Sequence, residues 1–166
     1  MLTSHELLGF MSPALALEIL TYAYETDKPL YRSTLTAVAE ARKLRVVFLE
    51  RQPRTQRHTA MLATLSKPAL ELVTASLIRT WLLKKYKDML VDFLNSLGLQ
   101  HKDGVVDDLP DTMDDARLRG AVDALLSKYP AEAVAVYLNA FNEMNEVEWA
   151  NLKGMLETDK RLQLGG

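Results

Sequence analysis

The chain has 166 residues, of which 48% are apolar and 25% charged, and its formal net charge is −2 at pH 7. These values are ordinary for a globular protein and argue against a disordered or fibrous chain. The sequence contains no cysteine, which excludes disulfide bonds, thiolate metal ligands and cysteine nucleophiles. A chain of this length can bury a full hydrophobic core, so we expect a single domain over residues 1–166.

The sequence pattern carries no targeting or membrane signal. Residues 1–6 lack the basic region and the following apolar run that a secretory signal needs. No stretch reaches the eighteen or so uncharged apolar residues that are typical of a membrane-spanning helix. The sequence therefore predicts a cytoplasmic protein without a membrane partner.

Proline and glycine recur at helix-sized intervals, with apolar residues three and four apart between them, which predicts about seven helices. A short turn of helix is predicted over residues 6–10. The first long helix begins at Ser12 and Pro13, because serine is a favoured N-cap and proline fits the first turn. We expect this helix to end over residues 26–29, where a second proline follows.

Two further helices are predicted in the first half of the chain. One runs over residues 30–50 and stops before Pro53, and the next covers residues 54–65. The tail of the first, residues 46–49, holds four consecutive apolar side chains and so also fits a buried strand. We favour a helix because the sequence offers no second strand-like run that could pair with it.

The longest predicted element is a helix over residues 68–97, with Pro68 in its first turn and Gly98 after its last apolar residue. At about 1.5 Å per residue, an unbroken helix of this length would be roughly 45 Å long. Its apolar stripe comprises Leu70, Val73, Leu77, Trp81, Leu82, Tyr86, Met89, Leu90, Phe93 and Leu97. Further apolar residues lie beside the stripe, so we expect a central helix around which shorter helices pack as a bundle.

The helical period disappears over residues 99–110. Residues 102–104, Lys-Asp-Gly, form a turn signal between short flanks that fit strands, so we expect a small β-hairpin or a plain loop there. Asp111 follows as a predicted N-cap, because Asp114 lies three residues on and a carboxylate is favourable at the positive end of a helix.

Three helices are predicted in the last third of the chain. The first ends at Tyr129, and Pro130 begins the second. Asn145 with Glu148 three residues later resembles a capping box and predicts the start of the last helix. The sequence as a whole therefore predicts an all-α fold.

Charge is distributed unevenly along the chain. Residues 1–97 contain 13 Lys and Arg against 9 Asp and Glu, whereas residues 98–166 contain 7 against 13. The first part therefore carries +4 and the second −6. Six basic residues fall within residues 42–57, opposed there only by Glu50: Arg42, Lys43, Arg45, Arg51, Arg54 and Arg57.

This basic segment is the one candidate binding site that the sequence offers. Its candidate contacts to an anionic ligand or a nucleic acid are Arg45, Arg51, Arg54, Arg57 and His58, because arginine binds phosphate with two parallel hydrogen bonds. The other interpretation is a solvated corner that pairs with the acidic second half, within one chain or between subunits. We favour it because the net charge is slightly negative and no nucleic-acid motif is present. On that interpretation His58 is a surface residue.

Residues 103–115, which we call the acidic segment, are a candidate calcium-binding site because they are rich in aspartate. They contain Asp103, Asp107, Asp108, Asp111, Asp114 and Asp115. In a calcium-binding EF-hand loop a glycine occupies the sixth position, whereas Gly104 directly follows the first aspartate and two valines occupy ligand positions. The three histidines stand far apart, and none has a metal-binding spacing. We therefore expect no metal site and no cofactor.

Catalytic signatures are also missing from the sequence. It contains neither a glycine-rich phosphate loop nor a Gly-x-Ser-x-Gly elbow. Trp81 and Trp149 each lie on an apolar stripe, so we expect both in the core rather than at a cofactor. The leading prediction is a non-catalytic cytoplasmic protein that acts through protein–protein contacts, including self-association. The alternatives are binding of nucleic acid or an anionic ligand through residues 42–57, and an enzyme or carrier whose site forms only in the fold.

Overall fold

The computed structural model describes residues 1–165, which form ten α-helices and two short 3₁₀ helices and contain no strand. The predicted all-α class is therefore confirmed, with more and shorter helices than the seven expected. The helices pack into two compact units, one formed by residues 2–81 and the other by Met1 with residues 82 onward. We describe each unit by itself.

The first unit contains five complete helices and the greater part of a sixth. They are α1 (Ser4–Phe10), α2 (Pro13–Thr26), α3 (Lys28–Ala41), α4 (Val46–Glu50), α5 (Arg54–Leu65), a 3₁₀ helix (Pro68–Leu70) and α6 (Glu71–Lys85). The second unit begins within α6 and contains α7 (Lys87–Ser96), α8 (Asp115–Lys128), α9 (Ala131–Asn145), α10 (Ala150–Thr158) and a 3₁₀ helix (Lys160–Leu162).

Local capping chemistry explains the helix starts that the sequence predicted well. The Ser12 hydroxyl accepts a hydrogen bond from the Leu15 amide at 3.2 Å and begins α2, beside the proline at its first position. The Asp27 carboxylate does the same for the Leu30 amide at 3.2 Å and begins α3. The predicted helix over residues 54–65 is confirmed as α5.

The prediction of one helix over residues 30–50 is wrong, because the chain turns between α3 and α4. Lys43 adopts a left-handed backbone with φ of 57°, and the Leu44 amide donates to the Ala39 carbonyl at 2.8 Å. A left-handed residue closes a helix by satisfying its last carbonyls, and glycine usually fills that position. Since lysine stands there, this position carries no helix-stop signal in the sequence. The tail, residues 46–49, is helical and not a strand.

The prediction of an unbroken helix over residues 68–97 is also wrong. After a 3₁₀ turn, α6 ends at Lys85, and Tyr86 departs from helical geometry with φ of −110° and ψ of 27° before α7 begins. The charges at this junction suit two helices, since Lys84 and Lys85 lie in the last turn of α6 and Asp88 lies in the first turn of α7. Cations stabilise a helix C-terminus and anions an N-terminus.

In the second unit, the most enclosed element is α9. Each residue from Ala133 to Asn142 is buried, so this helix faces protein on all sides. Phe141 is the centre of an aromatic cluster: its ring centroid lies 5.4 Å from Phe93, 5.8 Å from Tyr137 and 5.0 Å from Trp149. Aromatic pairs at such distances add to the stabilisation from buried area. The central role predicted for residues 68–97 therefore belongs, in this unit, to α9.

Both tryptophans are core residues, as predicted, with Trp81 0% and Trp149 1% exposed. Of the two alternatives predicted for residues 99–110, a small β-hairpin or a plain loop, the structure shows a minimal hairpin closed by a single β-bridge between Lys102 and Val105. Asp103 and Gly104 between them both have positive φ, 53° and 88°, as a two-residue type I′ hairpin turn requires.

Two predicted caps in the second unit are wrong. Asp114, rather than Asp111, caps α8, because its carboxylate accepts the Arg117 amide at 2.9 Å. Asn145 does not open a helix, because its side-chain amide donates to the Phe141 carbonyl one turn back at 2.9 Å. Glu146 then ends α9 with a left-handed φ of 54°, and α10 begins only after Trp149.

Candidate interaction surface around helix α4

The arginines predicted as candidate contacts lie around α4 and at the start of α5. Arg45, Arg51 and Arg54 are exposed, whereas Arg57 is half-buried. Among residues 2–81, no carboxylate forms an ion pair with any of the four. These four arginines therefore have no ion-pair partner within their own unit.

Two large apolar side chains lie among these arginines. Val47 is 47% and Phe48 57% exposed, while the next residue, Leu49, is 1% exposed and anchors α4 to the core. Successive residues of a helix point in different directions around its axis, and Val47 and Phe48 lie on a side of α4 that faces solvent. We call the five exposed residues the α4 surface: Arg45, Val47, Phe48, Arg51 and Arg54.

Arg57, on α5, links the short helix α4 to α3 and α5 through two hydrogen bonds. Its Nε donates to the Tyr31 hydroxyl oxygen at 2.9 Å, and its terminal nitrogen donates to the Glu50 carbonyl at 3.2 Å. The last carbonyls of a helix have no partner within it, and a cation at that end also suits the helix dipole. An isolated helix of five residues is unstable in water, so α4 depends on Leu49 and Arg57.

Arg54 is positioned by an aromatic ring. Its guanidinium lies 5.1 Å from the centre of the Tyr24 ring, a distance at which a cation is attracted to the ring face. The Tyr24 ring packs edge-on against the Tyr31 ring at 5.1 Å. The two tyrosines thus link α2, α3 and α5 beneath the α4 surface.

The prediction that His58 is a surface residue is wrong. Its side chain is buried, with 2% of the residue exposed, and Nε2 lies 2.9 Å from the Tyr31 hydroxyl. Because the Tyr31 oxygen accepts from Arg57, its own hydrogen is free to donate to an unprotonated Nε2. Burial, and after it the charges of Arg57 and Arg54, lower the pKa of His58 to about 4. The histidine is therefore neutral near pH 7 and supports the α4 surface from beneath.

Burial also acts on Tyr31. It raises the pKa of the Tyr31 hydroxyl, and the neighbouring Arg57 opposes that shift. The hydroxyl therefore stays protonated at neutral pH and can keep donating to His58. The three side chains Arg57, Tyr31 and His58 form a chain of hydrogen bonds with consistent donors and acceptors.

We expect Arg57→Ala to loosen α4. The substitution removes the donor to the Glu50 carbonyl and the donor to Tyr31, and hydrogen bonds to charged groups contribute about 2 kcal/mol. Amide exchange of residues 46–50 should speed up, and the free energy of unfolding should fall by about 2 kcal/mol. Arg51→Ala is the matched control, because that exposed side chain makes no such contact and should change stability by less than about 0.5 kcal/mol. Equal exchange in the two variants would contradict the capping role.

Two grooves open on the first unit. One, of about 650 Å³, is lined by Ala37, Glu40, Ala41 and residues 68–73. Its Glu71 carboxylate is already engaged, accepting the backbone amides of Ser4 and His5 at 3.0 and 2.8 Å. The other, of about 330 Å³, is lined mainly by apolar residues of α1, α2 and α5. Neither groove gathers the converging polar groups typical of an active site.

Residues 1–165 contain neither a cluster of metal ligands nor a single helix suited to crossing a membrane. No group of three or more His, Asp or Glu side chains in this range is arranged to hold a metal ion. No single helix in it is long and apolar enough to cross a membrane, although α5 joined to residues 68–85 meets that criterion as a pair bent by 98°.

Comparison of the chain with protein families, characterised proteins and solved structures finds no match. The sequence marks the arginines of the α4 surface but not Val47 and Phe48, whose run was predicted as the tail of a helix with a buried strand as the alternative. The signal that could have found them is helical spacing: Val46 and Leu49 lie three residues apart, as the apolar face of a helix requires, and Val47 and Phe48 fall between them.

Proposed function

We propose that this chain is a non-catalytic protein that acts through protein–protein contacts, and that its α4 surface binds an acidic protein segment. The observation that carries the proposal is the exposure of Phe48, 57%, among arginines that have no carboxylate partner in their own unit. Adjacent exposed apolar side chains with a polar rim, as Val47 and Phe48 have here, mark interaction sites, whereas single exposed ones do not.

The composition of the α4 surface supports a protein partner. Aromatic residues and arginine are enriched at protein interfaces, where a few of them provide most of the binding free energy. A carboxylate can accept two parallel hydrogen bonds from one guanidinium, so Arg45, Arg51 and Arg54 suit aspartate and glutamate. Phe48 and Val47 add an apolar contact, and burying a side chain of this size contributes about 1.5–3 kcal/mol.

Nucleic acid is the competing ligand for the same arginines. Proteins that bind single strands stack successive bases on several aromatic rings within a basic groove. Phe48 is the only aromatic residue in the basic segment 42–57, and the chain has a net charge of −2. These two properties favour an acidic protein segment over a polyphosphate.

Random-peptide display against the immobilised full chain tests the proposal. We expect wild type to enrich peptides that combine Asp or Glu with an aliphatic or aromatic residue. Phe48→Ala should abolish the enrichment, whereas Phe10→Ala should retain it, because Phe10 is equally exposed, at 59%, but lies on α1. The same proteins are then titrated with a 20-nucleotide oligothymidine and a 20-base-pair duplex at low salt.

Two outcomes would overturn the proposal. The first is a display that enriches no acidic peptide, or enriches the same peptides on Phe48→Ala. The second is binding of either oligonucleotide that is lost in Arg45→Ala/Arg51→Ala and retained in Phe48→Ala, which would assign the surface to nucleic acid.

A further inference from the structure

We infer that the α4 surface binds the acidic segment, residues 103–115, of a second copy of this chain. The inference rests on the proposed function and names its partner. It follows from a match between two sets of exposed residues, one in each compact unit.

Three aspartates of the acidic segment are available for such a contact. Asp107, Asp108 and Asp111 are exposed, and none of them makes a hydrogen bond or ion pair with the described residues of its own unit. The other three already have roles within the fold: Asp103 pairs with Lys87 at 3.4 Å, Asp114 caps α8, and Asp115 accepts from Asn151 at 2.8 Å. The free carboxylates therefore lie together in the middle of the segment.

The segment is held in a defined shape rather than left loose. The Gly104 amide donates to His101 Nδ1 at 3.2 Å at one end of it. The Trp149 indole donates to the Pro110 carbonyl at 2.9 Å, and the Asn151 side chain donates to the Met113 carbonyl at 2.7 Å. A segment that is already ordered loses less conformational entropy on binding.

The two surfaces complement each other in charge and in apolar content. The α4 surface carries three exposed arginines and the acidic segment carries the same number of free aspartates, and Val105, 42% exposed, offers an apolar side chain that matches Phe48. Each copy carries both surfaces, so two copies can exchange them. An interface built from a five-residue helix and one loop is small, and small interfaces are weak and transient.

Reciprocal charge reversal tests this inference, with mass followed by sedimentation velocity from micromolar to millimolar protein at low salt. Wild type should show a mass that rises with concentration and falls with added salt. Arg45→Glu/Arg51→Glu and Asp107→Arg/Asp108→Arg should each weaken self-association by more than about tenfold, because like charges then face each other. A mixture of the two variants should associate again, since both contacts regain opposite charges.

Matched controls keep the test decisive. Arg32→Glu/Arg79→Glu reverses two exposed arginines of the same unit that lie outside the α4 surface, and it should associate like wild type. Circular dichroism of each variant confirms its helix content. A monomeric wild type at all concentrations, or a mixture that fails to associate, overturns the inference. If peptide display still enriches acidic peptides in that case, the proposed function stands and the partner is a different protein; if display also enriches none, both fail.

Discussion

Phe141→Ala should lower the free energy of unfolding by about 4 kcal/mol, the largest stability loss that we expect from a single substitution. Phe141 is 0% exposed and its ring contacts three other aromatic rings, those of Phe93, Tyr137 and Trp149. Removing a buried phenylalanine side chain costs about 3–5 kcal/mol through lost transfer free energy and the cavity that remains. Native domains are stable by only about 5–15 kcal/mol, so this loss should be plain in urea unfolding followed by tryptophan fluorescence.

Two further variants identify the cause of that loss. Phe141→Leu keeps most of the buried volume and should cost less than half as much. Phe10→Ala removes the same atoms from a side chain that is 59% exposed and should change stability by about 0.5 kcal/mol or less. If Phe141→Ala proved as harmless as Phe10→Ala, α9 would not be the hub of its unit.

Lowering the pH from 6.5 to 4 should destabilise the protein by about 3 kcal/mol through His58 alone. Its ordinary pKa of 6.5 falls to about 4 in the folded state, chiefly because the ring is buried. Between these two values the unfolded chain binds the proton and the folded chain does not, so stability falls as the pH falls. Above pH 6.5 both states are neutral at this residue and the contribution is complete. One pKa unit corresponds to about 1.4 kcal/mol.

The test compares urea unfolding at several pH values between 4 and 7 for wild type and two variants. His58→Gln can still hydrogen-bond to Tyr31 but cannot take up a proton, so most of the pH dependence in this window should vanish. His101→Gln leaves His58 in place and should therefore keep the pH dependence of stability. An NMR titration of the His58 ring measures its pKa directly, and we expect a value of about 4. A measured pKa near 6.5 would contradict the buried network beneath the α4 surface.

The parts of the fold that the sequence predicts well are set by neighbouring residues. The starts of α2 and α3 depend on a serine or aspartate cap beside a proline, and the type I′ turn depends on the adjacent pair Asp103 and Gly104. Helix ends at residues without a distinctive side chain were missed. Lys43 is left-handed although it is not glycine, and Tyr86 interrupts the helix although neither glycine nor proline stands beside it.

The candidate site could be predicted only in part, because charge is visible in a sequence and burial is not. The density of arginines in residues 42–57 marked the segment. In the sequence His58 resembles one more basic residue of the surface. In the structure it is 2% exposed and hydrogen-bonds to Tyr31, 27 residues earlier in the chain. In the same way, Phe48 is exposed because Leu49 is the residue of α4 that packs into the core.

The most direct measurement of the central claim is an NMR titration of the ¹⁵N-labelled full chain with a synthetic peptide of residues 103–115. We expect amide shifts that saturate with peptide and concentrate on residues 45–51 and Arg54. A peptide in which Asp107, Asp108 and Asp111 are replaced by asparagine should produce much smaller shifts. Shifts that are equal for the two peptides, that fall elsewhere on the molecule, or that are missing at millimolar peptide would contradict the binding of residues 103–115 at the α4 surface.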